Sequence, residues 1–501
     1  MSLISINNLN FNYEGNLENV FENVSFSIDT NWKLGLIGRN GKGKTTFLKL
    51  LLGKYQYSGT ITKSVEFDYF PFEVKDKEKL AIDIANEIAP NAEDWQFIKE
   101  LNLLNSDAEI LYRKFSLLSG GEQVKVLLIS LFLKEKNFLL IDEPTNHLDV
   151  ETKNNLIQYL SRKKGFIVVS HDRNFLDKVV DHIISINNTN IDIQKGNFSS
   201  WQKNKNDRDN FELTQNEKLK KDINRLEAAA KSTHEWSNKT ENSKYNHAGS
   251  KEMIDRGYVG HQAAKMMKKS KVIEKRIDSA IVEKSNLLSN IDRNDPLKII
   301  PLESKKSLLV SVDNFQIKYD NKSIFDKISF EVKAEDRIAI IGKNGIGKSS
   351  ILKILIGNGL QYNGNIKIVN DLKISYVSQS TENLRGNLKN FAKFNNVQDS
   401  VFKAMLSKMG MSNNEFIKNI EDLSEGQKKK ILIAKSISES ANLYVWDEPL
   451  NYIDVLTRIQ IEEAILKYKP TIIFVEHDET FVKNIATKII KLDNSQEEKN
   501  V

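Results

Sequence analysis

The chain of 501 residues has no cysteine. That absence excludes disulfides, thiolate zinc sites, iron–sulfur clusters and cysteine nucleophiles together, and it fits a reducing compartment. Long apolar runs are missing too. Leu127–Leu133 (LLISLFL) is broken by Ser130 and falls far short of the ~20 residues a membrane helix needs. The opening MSLISINNLNFNYEG has neither a basic region nor an apolar core of roughly 7–15 residues, so no signal peptide is expected. There is no strong charge of one sign, since 73 Lys and Arg face 67 Asp and Glu for a net +6. With 40% hydrophobic and 28% charged residues, a soluble globular protein is expected, and the length allows two to four domains of ~100–200 residues.

What is present is a repeat. GRNGKGKTT at Gly38–Thr46 returns as GKNGIGKSS at Gly342–Ser350, and LSGGEQ at Leu118–Gln123 returns as LSEGQ at Leu423–Gln427. FLLIDEP at Phe138–Pro144 returns as LYVWDEP at Leu443–Pro449, and VVSHD at Val168–Asp172 as FVEHD at Phe474–Asp478. The offsets are 304, 305, 305 and 306 residues, and Tyr13 with Tyr319 adds a fifth landmark at 306. Landmarks in one order at one offset mean two copies of one domain. Short apolar runs such as Lys33–Ile37 and Phe138–Ile141 alternate with helical stretches such as Lys44–Leu52 and Gly120–Phe132. The fold class expected is α/β, each copy holding a largely parallel sheet. The expected domains are 1–205 and 304–494, a linker at 206–303, and a polar tail at 495–501.

Each G-x-x-x-x-G-K-[ST] loop follows a strand (KLGLI, RIAII) and precedes a helix (FLKLLL, ILKILI). Glycines let backbone N–H groups approach phosphates, the helix N-terminus adds partial positive charge, and the lysine reaches the β and γ oxygens. Candidate ATP-binding residues are Gly38, Asn40, Gly41, Gly43, Lys44, Thr45 and Thr46. Their counterparts are Gly342, Asn344, Gly345, Gly347, Lys348, Ser349 and Ser350. Thr45 and Ser349 would hold Mg²⁺ through their hydroxyls. Each half also has an apolar strand ending in two carboxylates that point to opposite sides of the backbone. Asp142 and Asp447 would bind Mg²⁺ through water. Glu143 and Glu448 would polarise the attacking water, a role worth about 10²–10⁴-fold.

With LSGGEQ or LSEGQ between phosphate loop and acidic pair, both halves resemble ATP-binding-cassette ATPases. The resemblance implies that the signature of one cassette closes over nucleotide held by the other. Ser119, Gly120 and Gly121 would then face Lys348, and Ser424 and Gly426 would face Lys44. It also implies switch histidines at His171 and His477, adenine-stacking rings at Tyr13 and Tyr319, and a Mg²⁺-contacting glutamine at Gln379. The first half departs from the pattern. Its YFPF places Phe72 opposite Gln379, so water or the neighbouring Glu73 would have to substitute. The second half reads EPLNYID for EPTNHLD, placing Tyr452 opposite His147. Two unequal ATP sites are expected.

The segment 206–303 is rich in Lys, Glu and Asn. Leu213, Leu219, Ile223 and Leu226, then Met266, Ile273, Ile277 and Ile281, recur at helical spacing. Two long helices, 206–243 and 261–291, are expected around a tip containing Gly249, Gly257 and Gly260. From Lys231 to Arg276 there are 11 basic and five acidic residues, a surplus equal to that of the whole chain. Trp236, Tyr245 and Tyr258 interleave with the basic residues, as on surfaces that meet phosphates and stack on bases.

A tandem pair with EPTNHLD and a charged helical linker, and with neither membrane spans nor cysteine clusters, resembles the ABC-F class. The loop-to-signature spacings of 75 and 76 residues leave no room for an arm inserted in the first half. DTNWKLGLIGRNGKGKTT, LSEGQKKK, DEPLNYID and RGYVGHQAAKMMKKSK resemble the Lsa-type antibiotic-resistance members. The resemblance implies a cytoplasmic monomer whose cassettes pair within one chain, with no membrane domain and no DNA partner. It implies contact with the bacterial large ribosomal subunit, its peptidyl-transferase-centre RNA and the P-site tRNA. Protection from lincosamide, pleuromutilin and streptogramin A antibiotics would follow. The expected linker contacts are Lys244, Tyr245, His247, Lys251, Arg256, Tyr258, His261, Lys265, Lys268 and Lys269. A drug-independent translation factor that rescues stalled ribosomes and a soluble ATPase module of a transporter stay open as alternatives.

Overall fold

The computed structural model describes residues 3–14, 19–134, 137–145, 148–187, 190–243, 265, 268, 271, 272, 275–277, 279, 296–304, 306–319, 322, 323, 325–343, 345–359 and 361–492. Its contacts divide the chain into two units. One combines Met1–Ser199 with Asn294–Val501, and the other is Ser200–Arg293.

The first repeat contributes strands β1 (Leu3–Phe11), β2 (Phe21–Asp29), β3 (Lys33–Gly38), β4 (Ser58–Thr62), β5 (Glu66–Phe70), β6 (Asn137–Asp142), β7 (Phe166–Val169), β8 (His182–Asn187) and β9 (Asn190–Lys195). The central sheet runs β5-β6-β7-β3-β8-β9, parallel except for the β8–β9 pair. Its middle strands are almost wholly buried, as in FIVV of β7, because both faces are covered and no alternation is needed. A second, antiparallel sheet, β2-β1-β4, packs on one face. Between the sheets lies a core of Ile4, Ile6, Phe21, Val24, Phe47, Leu48 and Leu51, which places the helix Lys44–Leu51 at the centre of the domain.

The second repeat builds the same frame from β10 (Leu308–Tyr319), β11 (Lys322–Ser323), β12 (Ile328–Lys333), β13 (Arg337–Gly342), β14 (Tyr362–Ile368), β15 (Ile374–Val377), β16 (Leu443–Asp447), β17 (Ile472–Val475) and β18 (Lys488–Leu492). Its parallel sheet is β15-β16-β17-β13-β18. The expected α/β architecture of two tandem P-loop NTPase domains is what the structure has. In each, the phosphate-loop strand lies two places from the Asp-Glu strand, with β7 or β17 between them. That order brings loop, carboxylates and histidine to the same carboxyl edge of the sheet, where open α/β sheets bind ligands.

The linker begins earlier than its composition signals. One helix runs Phe198–Ser243, 46 residues, a length of about 70 Å at ~1.5 Å per residue. Its first residues belong to the stretch expected to end the first domain. At the other end, residues 296–303 are not linker in character. Leu297 and Ile299 enter the second repeat's core, and Leu302 N donates to Ala441 O at 2.8 Å. The apolar alternation of those residues, obscured by the polar stretch before them, is the physical reason. No helix among the described residues is long and apolar enough to cross a membrane.

Candidate functional site

Gly43 and Gly347 begin the two phosphate-loop helices with φ of 94° and 92°, the left-handed region that glycine enters at no cost. A Cβ on Gly43 would also stand 2.7 Å from Val20 Cγ1. Neither helix has a side-chain cap, so its first N–H groups point out of the loop toward whatever the loop holds. Lys44 Nζ donates to Gly38 O at 2.8 Å, and also reaches Arg39 O and Asn40 Oδ1. Lys348 Nζ donates to Gly342 O at 2.7 Å and Lys343 O at 3.0 Å. Burial lowers the pKa of both lysines. Each is thus a cation held on carbonyls beside its loop. Tyr13 donates to or accepts from Thr46 Oγ1 at 2.6 Å and packs edge-on against Phe11. Tyr319 ends β10, and its side chain, like Asn344 and His147, lies outside the described residues.

At the sheet edge Thr45 Oγ1 donates to Asp142 Oδ2 at 3.1 Å, and Ser349 Oγ donates to Asp447 Oδ1 at 2.9 Å. Asp447 is fully buried, and its Oδ2 has no hydrogen-bond partner. A buried carboxylate oxygen without a donor, next to a hydroxyl, fits a hydrated Mg²⁺. Burial raises the pKa of both aspartates. The next residues turn back on themselves. Glu143 and Glu448 have φ of 51° and 44°, and their N–H groups donate to Val169 O and Val475 O at 2.9 and 3.0 Å. A left-handed conformation costs a non-glycine residue about 1–3 kcal/mol and is typical of functional positions.

The two glutamates then part company. Glu448 accepts from Gln379 Nε2 at 2.9 Å and Asn451 Nδ2 at 2.6 Å, with His477 Nε2 at 3.5 Å. Burial alone would raise its pKa, but these donors pull it down to about 2. Glu143 has His171 Nε2 at 3.1 Å. Burial, with Asp142 adjacent, pushes it up to about 8. Phe72 is exposed, and the hydroxyl that reaches the first site's aspartate is instead Tyr69, donating to Asp142 Oδ2 at 2.9 Å.

The structure joins the first phosphate loop to the second signature. Ser424 and Ser119 each cap a helix, Glu425–Ser438 and Gly120–Leu133, through capping boxes with Gln427 and Glu122. A Cβ on Gly426 would lie 2.4 Å from Asn40 Nδ2 and 2.6 Å from Tyr452 O, and one on Gly41 would meet Glu415 and Gln427. Asn40 donates to Tyr452 O at 2.6 Å and to Asp454 Oδ2 at 3.2 Å. Arg39 donates to Lys408 O at 3.1 Å. The described glycines of the reverse pair show no such approach. Nothing lies within 4 Å of where a Cβ would be on Gly345 or Gly120, and Gly121 faces Thr152 and Leu148 of its own repeat. Gly345, Lys348 and Ser350 line a cavity of about 390 Å³, which both glutamates and both switch histidines also line.

Of the expected linker contacts, Lys265 and Lys268 are helical and exposed. Lys244, Tyr245, His247, Lys251, Arg256, Tyr258, His261 and Lys269 lie outside the described residues. Sequence reasoning missed the pairs that cross between repeats. Arg173 Nη2 meets Glu462 Oε2 at 2.5 Å, both nearly buried. It also missed Lys429, whose Nζ sits on backbone carbonyls of the second site. The offset between repeats could have exposed Lys429, because its counterpart is Val124.

The family model described as ABC transporter matches residues 21–146 and 325–451. ATP-binding protein Uup of Buchnera aphidicola is 31% identical over 522 residues, covering 97% of this chain and 80% of that protein. Ribosome protection protein VmlR of Bacillus subtilis is 28% identical over 502 residues, covering 98% and 87%. Among solved structures, an archaeal ribosome recycling factor in complex with the stalk protein aP1 is similar with a TM-score of 0.60. Identity is 18%, over 97% of this chain and 87% of that one. At that identity the likeness shows the fold alone.

Proposed function

We propose, from the premise that this chain belongs to the ATP-binding-cassette family and is an ATPase of its F class, that it protects the bacterial ribosome in the manner of the Lsa-type members. In this reading it is a cytoplasmic monomer that enters the tRNA exit site of the large subunit. It holds its linker against the peptidyl-transferase-centre RNA and the P-site tRNA. Lincosamide, pleuromutilin and streptogramin A antibiotics are thereby displaced. The observation that carries the reading is the 46-residue helix between the repeats. It leads into the segment Lys231–Arg276, which holds a surplus of six positive charges, as large as that of the whole chain. The likeness to a ribosome protection protein over nearly the full length supports it.

ATP binding supplies the closing force. Lys44 and Lys348 are to leave their carbonyls for phosphate oxygens. Thr45 with Asp142, and Ser349 with Asp447 and Gln379, are to hold Mg²⁺, which neutralises charge on the transferred phosphoryl group. Glu448 and Glu143 orient the attacking water, and His477 and His171 fix those carboxylates. Ser424 and Gly426 close on the first site, Ser119, Gly120 and Gly121 on the second. Hydrolysis then opens the pair and releases the ribosome.

The test is the double variant Glu143→Gln/Glu448→Gln in a drug-susceptible host lacking this gene. It is expected to accumulate on ribosomes only when ATP is present, while the parent raises resistance to the three drug classes. A variant that does not sediment with ribosomes removes the ribosomal reading. A parent that binds ribosomes without changing drug susceptibility leaves the drug-independent factor in its place. Sedimentation with membranes points to the transporter module.

A further inference from the structure

Lys429 lies on the helix Glu425–Ser438, five residues after Ser424, and is 1% exposed. Its three ammonium protons face three backbone carbonyls. They are Ser378 O at 2.8 Å, Gln379 O at 3.0 Å and, more distantly, Asp447 O at 3.4 Å. The carboxylate that most favours its charge is Glu476, itself 5% exposed. Glu476 in turn accepts Leu450 N at 2.7 Å and His477 N at 2.9 Å. One lysine and one glutamate therefore touch the backbone of four stretches that surround the second phosphate loop: those of Gln379, of Asp447, of the Leu450–Asp454 turn and of His477. The first repeat has Val124 and Ser170 at these places. Ser170 Oγ bonds Thr145 Oγ1 at 3.1 Å and accepts Asp172 N at 3.2 Å. A buried charged pair is costly unless its hydrogen bonds are made, and here they are made to functional loops on one side only.

We infer that Lys429 and Glu476 are positioning residues that tie the helix closing over the first ATP site to the loops that build the second. The inference rests on the nucleotide-site reading above. The helix that begins at Ser424 serves the first phosphate loop across the interface, while Lys429, little more than one turn further on, holds the second site's own glutamine loop. When occupancy of the first site moves that helix, the second site's metal-binding loop moves with it. The first repeat's signature helix has no such tie, because Val124 has no donor to give. Coupling between the two sites therefore passes through this one helix, and in binding it acts equally in both directions.

The experiment uses the full chain and the double variant Lys429→Val/Glu476→Ser, which installs the first repeat's own residues and removes both buried charges together. Binding of a fluorescent ATP analogue is titrated with Mg²⁺. Lys44→Ala isolates the second site, Lys348→Ala isolates the first, and proteins with both lysines report coupling. The swap is expected to raise the Mg²⁺ concentration for half-maximal binding at the second site at least several-fold. The first site's requirement and the unfolding midpoint should stay near those of the parent. In the parent, a working first site lowers the second site's Mg²⁺ requirement; in the swap that difference disappears. If the second-site requirement and its dependence on Lys44 survive the swap, the tie is overturned. If Lys348→Ala binds nucleotide as the parent does, the nucleotide-site reading itself fails and the tie with it.

Discussion

Glu143 and Glu448 occupy the same place in the two repeats, on the same strained turn, yet their surroundings differ. Gln379, Asn451 and His477 all donate toward Glu448. Among the described residues, the side chain facing Glu143 is His171. A general base that is pre-oriented loses more when removed. Glu448→Gln is therefore expected to cut steady-state ATP hydrolysis by about 10²–10⁴-fold, and Glu143→Gln by clearly less. Equal losses in single-turnover assays would refute that ranking. Gly426 sets a second test. An alanine there puts a methyl group 2.4 Å from Asn40 Nδ2 across the interface and 2.6 Å from Tyr452 O of its own repeat. Overpacking of this kind costs roughly 1–3 kcal/mol, or about 5–150-fold in a closing equilibrium. Gly426→Ala should lower hydrolysis within that range and, because Tyr452 lies in the same repeat, lower the unfolding midpoint as well. Unchanged hydrolysis would show that closure does not use this contact.

The element that organises the interface is the helix Glu425–Ser438. Besides Lys429 it carries Lys430, whose Nζ lies 2.7 Å from Asp454 Oδ2 with both side chains buried. Asp454 caps the helix Val455–Tyr468 and accepts from Asn40 of the other repeat. Burial would raise the Asp454 pKa, but Lys430 and then Lys44 hold it far below the ordinary carboxylate range. A depressed folded pKa contributes stability above the unfolded value of ~3.9, lost as pH falls through that value toward the folded one. Removing one partner of a buried pair costs about 3–5 kcal/mol, whereas removing both can be nearly neutral. Lys430→Met is therefore expected to lower the urea midpoint at pH 7 sharply, and Lys430→Met/Asp454→Asn to recover most of it. The double variant should also lose part of the parent's decline in stability below about pH 4. A double variant as unstable as the single one would contradict this. Such pairs explain which parts of the molecule could be read in advance. The phosphate loops, the Asp-Glu strands and the signatures are local strings whose chemistry forces their spacing, and Phe72 stood out against Gln379 for the same reason. Lys430 with Asp454, or Arg39 with Lys408 O, join positions 24 and 369 residues apart. No period links them, and lysine in KKK reads as a solvated face until the fold buries two of the three. The linker's start at Phe198 was hidden because its first turn, with Phe198 and Trp201 buried, has the apolar spacing of the domain before it and not the polar composition that marks the linker.

At the scale of the whole molecule the interface is lopsided. Arg39 reaches Lys408 O, Asn40 reaches Tyr452 and Asp454, and Arg173 pairs with Glu462, all joining the first repeat's loops to the second repeat. The second phosphate loop meanwhile borders the cavity of about 390 Å³. The basic charge has a separate place. Residues Lys231–Arg276 carry the full surplus of six, so the remaining 455 residues are neutral in sum, and the repeats themselves offer no net attraction to nucleic acid. Replacing Lys244, Lys251, Arg256, Lys265, Lys268 and Lys269 together by glutamine separates the two jobs. Hydrolysis by the protein alone should stay at the parental rate, since none of these six belongs to an ATP site. Affinity of the Glu143→Gln/Glu448→Gln form for ribosomes should fall. Its dependence on salt should flatten by about 0.7–0.9 in log–log slope for each phosphate that is no longer neutralised. Parental affinity with a parental salt slope would mean that ribosome binding is carried by the repeats rather than by the linker. A fall in affinity at constant slope would mean that the linker works by shape and stacking, with Tyr245 and Tyr258 the next residues to change.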